Sequence, residues 1–249
     1  MRIDVLTTFP EMFTSQSPAV LGVSIPKRAI DAGKLEVVAT DIRTFTNDPH
    51  RKTDDRPFGG GPGMVMMCQP VWDAVQTVER ARTDKPRRIY LSPQGEPLTQ
   101  PLVEELAREP SLLMLCGHYE GIDERVIDAL APTEVSLGDF VISGGEVAAL
   151  VLIDAIARCL PGALGDELSA AQDSFSNFPP PEGFSTARDG LTAAKQPKRL
   201  LDCPQFTKPR EWQGREVPDI LLSGDHVAIA KWRHDQRLKR TFLRRPDLM

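Results

Sequence analysis

One stretch decides the fold of this chain: Leu112-Leu-Met-Leu-Cys-Gly-His-Tyr-Glu-Gly-Ile-Asp-Glu-Arg-Val126. It has the pattern of an apolar strand that runs into a turn rich in glycine and acidic residues and then into a helix. A similar stretch, Glu134-Val-Ser-Leu-Gly-Asp-Phe-Val-Ile-Ser-Gly-Gly-Glu146, follows after a short helix. Glycine lets the main chain approach a ligand closely because it has no Cβ, and ligands of open α/β sheets bind at the carboxyl ends of strands. The two stretches therefore predict a small-molecule site and an enzyme.

Strands and helices alternate around these stretches. Predicted strands cover 3–7, 35–40, 88–91 and 112–116, and another begins at Val135. Predicted helices cover 18–32, 70–82, 100–108, 122–130 and 145–160. This alternation predicts an α/β fold with a mostly parallel sheet that is covered on both faces.

The composition changes after Gly165. Residues 177–198 are rich in Pro, Gly and small polar residues, which is typical of a linker or loop. Residues 204–218 have an irregular pattern, and a helix that Ser223 or Asp225 would cap follows them.

Charge is unevenly distributed along the 249 residues, whose net charge is −5. Residues 195–249 carry 13 Lys and Arg against 7 Asp and Glu, a net charge of +6, so the rest of the chain carries −11. A basic end section could meet an anionic partner, and a solvated helix surface would have the same composition. The longest strongly apolar stretch, 147–160, is too short to span a bilayer, so no membrane segment is expected. The four cysteines form no CxxC pair, which indicates reduced thiols in a cytoplasmic protein.

The glycine-rich segment Phe58-Gly-Gly-Gly-Pro-Gly63 is not a dinucleotide fingerprint. Such a fingerprint directly follows a strand and opens a helix, whereas a polar segment precedes this one. No phosphate-binding GxxxxGK[ST] loop is present either. The segment is a substrate-binding loop flanked by Asp54, Asp55 and Arg56, or it is a plain turn.

Several single side chains are candidates for chemistry. His50 and His118 lie in loops beside acidic residues, where a histidine can be catalytic, structural or solvated. Asp173 follows the predicted α/β region and could act as a general base, although many such aspartates only cap turns.

Arg158 lies on an otherwise apolar helix. A partly buried arginine generally needs an anionic partner. That partner is either a structural one, such as Asp154 or Glu146, or negative charge that develops on a substrate.

Eight motifs in order resemble those of one known family. They are Phe9-Pro-Glu-Met-Phe13, Asp54-Asp-Arg-Pro-Phe-Gly-Gly-Gly-Pro-Gly-Met64, Tyr90-Leu-Ser-Pro-Gln-Gly95, Cys116-Gly-His-Tyr-Glu-Gly-Ile-Asp-Glu-Arg125, Leu137-Gly-Asp-Phe-Val-Ile-Ser-Gly-Gly-Glu146, Asp173-Ser-Phe175, Leu201-Asp-Cys-Pro204, and Leu221-Leu-Ser-Gly-Asp-His226 with Trp232-Arg233. Over nearly the whole chain, the sequence resembles the bacterial tRNA (guanine-N1)-methyltransferases, the TrmD family.

The resemblance implies a knotted fold. Hydrophobic periodicity cannot predict a knot, because threaded chains are essentially absent from ordinary folds. Residues 1–161 would form an α/β cofactor-binding domain with a deep trefoil knot of the SPOUT type. Residues 162–199 would form a linker with a long insertion, and residues 200–249 a small, mainly helical, basic domain that binds tRNA. The family works as a homodimer whose active site lies at the subunit interface.

The resemblance also implies a pocket for S-adenosylmethionine at 90–94, 117–121 and 136–145. The implied cofactor-binding residues are Tyr90, Leu91, Pro93, Gln94, Gly117, Tyr119, Glu120, Gly121, Ser136, Leu137, Gly138, Asp139, Phe140, Val141, Ile142, Ser143, Gly144 and Gly145. His118 and Phe140 stand where relatives often have Arg and Tyr, so polar contacts near the cofactor would differ.

The implied reaction is methyl transfer to N1 of guanosine at position 37, in the anticodon stem-loop of tRNA. Asp173 would be the base and Arg158 would stabilise charge on O6. Residues implied to contact tRNA are His50, Asp54, Arg56, Lys231, Arg233, Arg237, Lys239 and Arg240. The family's magnesium dependence is also implied, and Glu120 or Asp173 could approach that ion, although the sequence shows no closed metal site.

Two other functions are weighed against this one. The first is a knotted methyltransferase that acts on another RNA atom, such as a ribose 2′-hydroxyl. The second is a non-catalytic RNA-binding protein that uses the basic end section.

Overall fold

A computed structural model describes residues 1–164, 173–177, 179 and 199–249. The chain divides into two compact units, Met1–Gly165 and Asp166–Met249. Most of the predicted insertion, 178 and 180–198, lies outside the described residues. Within the described ranges, no helix is both long and apolar enough to cross a membrane.

The first unit is built from alternating strands and helices. In chain order it contains β1 (Arg2–Thr7), α1 (Ser24–Asp31), β2 (Glu36–Asp41), β3 (Asp54–Asp55), β4 (Val65–Met66), α2 (Cys68–Arg80), β5 (Arg87–Pro97), α3 (Gln100–Leu106), β6 (Ser111–Cys116), α4 (Glu124–Leu130), β7 (Thr133–Ser136) and α5 (Gly145–Cys159). Among the described residues, five strands form a sheet in the order β2-β1-β6-β5-β7, and every neighbouring pair is parallel. The predicted α/β fold with a mostly parallel sheet is confirmed.

Strand β6 lies at the centre of the sheet, and all six of its residues are buried. Leu112 and Met114 point into one apolar core, whereas Leu113 and Leu115 point into a second core on the opposite face. Helices α1, α3 and α5 cover the first face, and α2 and α4 cover the second. A strand buried on both faces needs an unbroken apolar sequence, which is why the Leu112–Cys116 run predicted it.

The first helix is shorter than the predicted 18–32. Residues 20–22 form a 3-10 turn, and α1 begins at Ser24. Pro26 explains this start, because proline has no N–H to donate inside a helix but is tolerated in the first turn. The predicted end is confirmed: Gly33 follows α1 with φ +66 and donates its N–H to Ile30 O at 2.9 Å.

In the second unit, the described residues form one long helix and a small hairpin. The hairpin pairs β8 (Glu211–Trp212) with β9 (Arg215–Glu216), so the expectation of an irregular segment over 204–218 was incomplete. Helix α6 covers His226–Arg244. Asp225 caps it, because its carboxylate accepts hydrogen bonds from the N–H groups of Val227 and Ala228.

Candidate active site

A pocket lies at the carboxyl ends of β5, β6 and β7, three adjacent strands of the sheet. Leu91 and Glu96 of β5 both pair with Val135 of β7, so residues 92–95 bulge out of the strand and form one wall. Residues 117–121, directly after β6, form the second wall. The segment that joins β7 to α5 forms the third. The topology therefore gathers three glycine-containing loops that are distant in sequence.

The glycines of these loops allow backbone to pack directly on backbone. A Cβ added at Gly145 would lie 2.8 Å from Cys116 Cα and 3.2 Å from Gly117 N. The Gly145 N–H donates to Gly117 O at 2.8 Å, which ties the start of α5 to the end of β6. At Gly95 an added Cβ would overlap the backbone of β7. Any side chain at Gly95 or Gly145 would therefore separate two walls of the pocket.

The pocket combines a buried phenol with an exposed apolar rim. Tyr90 is 8% exposed, and burial raises the pKa of its hydroxyl, so this side chain is a neutral phenol at physiological pH. Tyr119, Phe140 and Val141 are 54%, 58% and 88% exposed around the pocket. Large apolar side chains that stay exposed at a pocket are suited to cover a flat ring or another protein surface.

A buried carboxylate lies directly behind the pocket wall. Glu146, in the first turn of α5, is 2% exposed and accepts a hydrogen bond from Thr7 Oγ1 at 2.7 Å. Its Oε2 lies 3.4 Å from Nδ1 of His118, a pocket residue whose Nδ1 makes no hydrogen bond within the described residues. Burial, and secondarily the charge of Glu146, raise the pKa of the Cys116 thiol. Glu146 thus bonds the end of β1 to α5, and its carboxylate lies beside His118, which follows β6.

Arg158 does not pair with Glu146, which was one of its two suggested partners. Glu146 and Arg158 lie at opposite ends of α5, and twelve residues at 1.5 Å each place their Cα atoms about 18 Å apart. Arg158 is half-buried in the last turn of the helix.

All the predicted cofactor residues line this pocket except Asp139. Ser92 and His118, which fall inside the predicted ranges, line it as well. Val135 and Ala148 also line it and were missed. Ala148 could have been found, because it lies one helical turn after Gly144 and shares the side of α5 that begins there.

The glycine-rich segment of 58–63 closes a hairpin beside the pocket. Strands β3 and β4 pair antiparallel. On the β4 side, Glu120 N donates to Met64 O at 3.0 Å, and Met66 N donates to Gly121 O at 2.9 Å. Asp54 of this hairpin is half-buried, and Arg56 is exposed, as is His50 in the preceding loop. The structure thus bonds the hairpin to the 117–121 wall, and the role of the segment as a substrate-binding loop stays a prediction.

Asp173 lies in the second unit, on a turn that is fixed through its main chain. Ser176 donates to Asp173 O from its N–H at 3.2 Å and from its hydroxyl at 2.7 Å. Phe175 has φ +66 and donates its N–H to Leu200 O at 2.8 Å. The Asp173 side chain itself is exposed. The turn therefore holds Asp173, an exposed residue, on a main chain that hydrogen bonds fix.

The predicted tRNA-contacting residues of α6 fall into two groups. Lys231, Arg233 and Lys239 are exposed, and Arg240 is partly exposed. Arg237 is only 5% exposed and donates to backbone carbonyls of its own unit. Its placement does not fit the predicted contact with a phosphate, because a buried guanidinium cannot reach an external anion.

The whole chain matches a known family. A sequence model described as tRNA (Guanine-1)-methyltransferase TrmD matches residues 1–249. The chain belongs to the TrmD family. A tRNA (guanine-N(1)-)-methyltransferase of Thiobacillus denitrificans is 49% identical over 252 residues, which cover 100% of this chain and 96% of the relative. Proteins of the same name from Moorella thermoacetica and Geobacillus kaustophilus are 48% and 46% identical, and each match again covers 100% of this chain, with 90% and 91% of those relatives.

The TrmD family is a family of methyltransferases, and this chain is a member of it. The matches favour neither of the two alternatives, the RNA-binding protein without activity and the enzyme that acts on another RNA atom. The magnesium dependence implied for the family finds no ready site in the described part of this TrmD chain. No three His, Cys, Asp or Glu side chains gather there as metal ligands would.

Proposed function

We propose that this chain transfers the methyl group of S-adenosylmethionine to N1 of guanosine at position 37 of tRNA. One observation carries the proposal: the three loops that surround a single pocket are also the segments that carry the family's glycine-rich motifs. The names of the relatives support both the tRNA substrate and the N1 atom.

The pocket residues fit S-adenosylmethionine. The loops at 92–95, 117–121 and 137–144 bring main chain to the cavity, where N–H and C=O groups can bind the adenine edge and the amino-acid end. Tyr119 and Phe140 supply apolar faces for the adenine ring. When bound, S-adenosylmethionine supplies an electrophilic methyl group on its sulfonium.

Asp173 is the proposed general base. N1 of guanine carries a proton and its lone pair is delocalised in the ring, so the proton must leave as the new bond to carbon forms. The exposed carboxylate of Asp173, on a turn with a fixed main chain, can accept that proton. Negative charge then develops on O6, and the guanidinium of Arg158 would stabilise it.

The finer architecture belongs to the same proposal. Residues 1–161 would carry the deep trefoil knot, 162–199 the linker, and 200–249 the tRNA-binding domain. A homodimer would complete the active site at the subunit interface. Support for an interface comes from α5, where two apolar residues, Val147 and Val151, remain 51% and 45% exposed.

Exposed cations would bind the anticodon stem-loop. Lys231, Arg233, Lys239 and Arg240 are accessible to phosphates along α6. His50, Asp54 and Arg56 belong to the segment whose hairpin is bonded to the pocket wall, which suits contacts near the target base. That base must leave its stack before its N1 edge can react. Such a substrate would place the enzyme in the cytoplasm.

The proposal is tested by methyl transfer from labelled S-adenosylmethionine to two tRNA transcripts that differ only at position 37, guanosine against adenosine. We expect label only in the guanosine transcript, at N1. Label in both would mean that another nucleotide is the target. Binding of tRNA with no label in either would indicate a protein without this activity. The variant Asp173→Ala should bind S-adenosylmethionine normally and lose nearly all transfer, and normal turnover would exclude Asp173 as the base.

A further inference from the structure

Arg237 is buried beneath the turn that carries Asp173. Its Nη2 donates to Asp173 O at 3.4 Å and to Ser176 Oγ at 3.5 Å, and its Nε donates to Leu201 O at 3.3 Å. One planar guanidinium thus bonds both the Asp173 turn and the neighbouring segment around Leu201. A forked set of donors in a fixed plane constrains the position of these carbonyls more than a single ammonium would.

The rest of this helix face reinforces the same contact. Thr241, one turn after Arg237, is fully buried; its hydroxyl donates to Arg237 O at 2.8 Å and accepts from Leu201 N at 2.9 Å. One further turn along, the Arg245 guanidinium lies 5.7 Å from the centre of the Phe175 ring. These three positions are spaced by four residues and therefore share one face of the α6 region. Across it, Asp202 N donates to Ser174 Oγ at 2.9 Å.

We infer that Arg237 is a positioning residue for the proposed reaction: it holds the main chain of Asp173 so that the exposed carboxylate meets the N1 proton. The inference rests on the proposed function, in which Asp173 is the base. Arg237 acts through Asp173 and does not itself touch the substrate. Helix α6 then has two roles on two faces, since its exposed cations face solvent while Arg237 and Thr241 fix the catalytic turn.

The first experiment separates positioning from RNA binding. Single-turnover transfer is measured at saturating tRNA and S-adenosylmethionine for Arg237→Met, Arg237→Lys and a matched control, Arg244→Met. Arg244 is an exposed arginine on the same helix, so the control makes the same change of charge without touching the turn.

We expect Arg237→Met to slow transfer about 100-fold, the loss typical of a displacement near 1 Å, with Kd for tRNA and cofactor within about threefold of the parent. Arg237→Lys keeps a donor and should transfer about tenfold faster than Arg237→Met. Arg244→Met should transfer at the parent rate. A weaker Kd for tRNA with an unchanged rate constant would make Arg237 a phosphate contact and overturn the inference.

A double substitution tests whether Arg237 acts only through Asp173. If it does, Asp173→Ala with Arg237→Met transfers no more slowly than Asp173→Ala alone, because the residue that Arg237 positions is already gone. Slowing by the product of the two single effects would show that the residues act independently, and would refute the inference.

Amide hydrogen exchange gives a readout that needs no activity. The N–H groups of Phe175 and Ser176 should exchange faster in Arg237→Met than in the parent or in Arg244→Met. Unchanged exchange would overturn the inference even if transfer were slow. If the parent enzyme itself failed to methylate guanosine, the proposed function would fail, while this exchange measurement would still decide whether Arg237 fixes the turn.

Discussion

Replacing Gly145 by alanine tests whether the pocket depends on backbone contact between its walls. Gly145 has ordinary helical geometry at the start of α5, so alanine adds only its Cβ. That atom would lie 2.8 Å from Cys116 Cα, about 0.6 Å inside the 3.4 Å at which ordinary contact begins. The atoms that the Cβ meets, in Cys116 and Gly117, belong to the backbone, so no side chain can rotate away to make room. Helix α5 must therefore move away from the end of β6 by roughly this distance.

The displacement has two measurable consequences. Moving the loops that flank α5 and β6 should weaken about two backbone hydrogen bonds to the cofactor, each worth about 1 kcal/mol. The total of about 2 kcal/mol corresponds to a Kd for S-adenosylmethionine about 30-fold higher. Calorimetric titration measures this change directly. Overpacking should also lower the free energy of unfolding by about 1–3 kcal/mol.

A control separates loss of the pocket from general destabilisation. Gly33 has φ +66 and nothing within 4 Å of an added Cβ, so Gly33→Ala introduces backbone strain of about 1–2 kcal/mol without a collision. We expect this variant to unfold more easily than the parent and yet to bind S-adenosylmethionine with the parent's Kd. If Gly145→Ala also kept the parent's Kd, backbone contact between the walls would not shape the cofactor site.

Three further outcomes are expected. The pKa of Asp84 is lowered to about 2 from its ordinary 3.8 by Arg82 and by the Ser111 hydroxyl, so its stabilising effect is present above pH 3.8 and disappears as the pH falls through about 2. In urea unfolding, the parent should exceed Asp84→Asn in stability at pH 6, with a gap that closes near pH 2; a gap independent of pH would contradict this. Val151→Glu should convert the proposed homodimer into monomers in sedimentation velocity, and an unchanged dimer would exclude this face of α5 as the interface. Arg233→Gln should reduce the slope of log tRNA affinity against log salt by about 0.7–0.9, and an unchanged slope would remove Arg233 from the phosphate contacts.

The sequence predicted the pocket well because its causes are local. An apolar strand that ends in glycine and acidic residues, as after Cys116 and after Ser136, identifies the end of a strand and bare backbone within a few residues. Strands that lie parallel present those ends at one edge of the sheet. Local pattern plus one topological rule is therefore enough to bring the turns after Cys116 and after Ser136 together. The pocket ranges 90–94, 117–121 and 136–145 came from the resemblance. The knot has no such local cause and was suggested only by the resemblance.

The errors arose where contacts are long-range. Arg237 looks like its exposed neighbours on a basic helix, and its burial depends on Asp173 and Leu201, which lie 64 and 36 residues away. Glu146 likewise meets Thr7 across 139 residues, a partner that no local pattern could have revealed. Such contacts depend on tertiary packing, which charge counts and periodicity do not encode. The separation of Glu146 from Arg158, by contrast, follows from the helical rise alone.

The two parts of the proposed site, the cofactor pocket and the Asp173 turn, thus respond differently to substitution. The cofactor pocket is made of backbone, and its tolerance to change is decided by whether a position has room for a Cβ, as the 2.8 Å approach at Gly145 illustrates. The Asp173 turn is held partly by side chains, and there its tolerance to substitution is decided by donor geometry, as with the guanidinium of Arg237. A volume-conserving change such as Arg237→Met should therefore remove the hydrogen bonds of the turn without creating a cavity. In the pocket loops, by contrast, added side-chain volume should displace the walls. Substitutions of the loop glycines should therefore change cofactor affinity, whereas substitutions on the buried face of α6 should change the transfer rate.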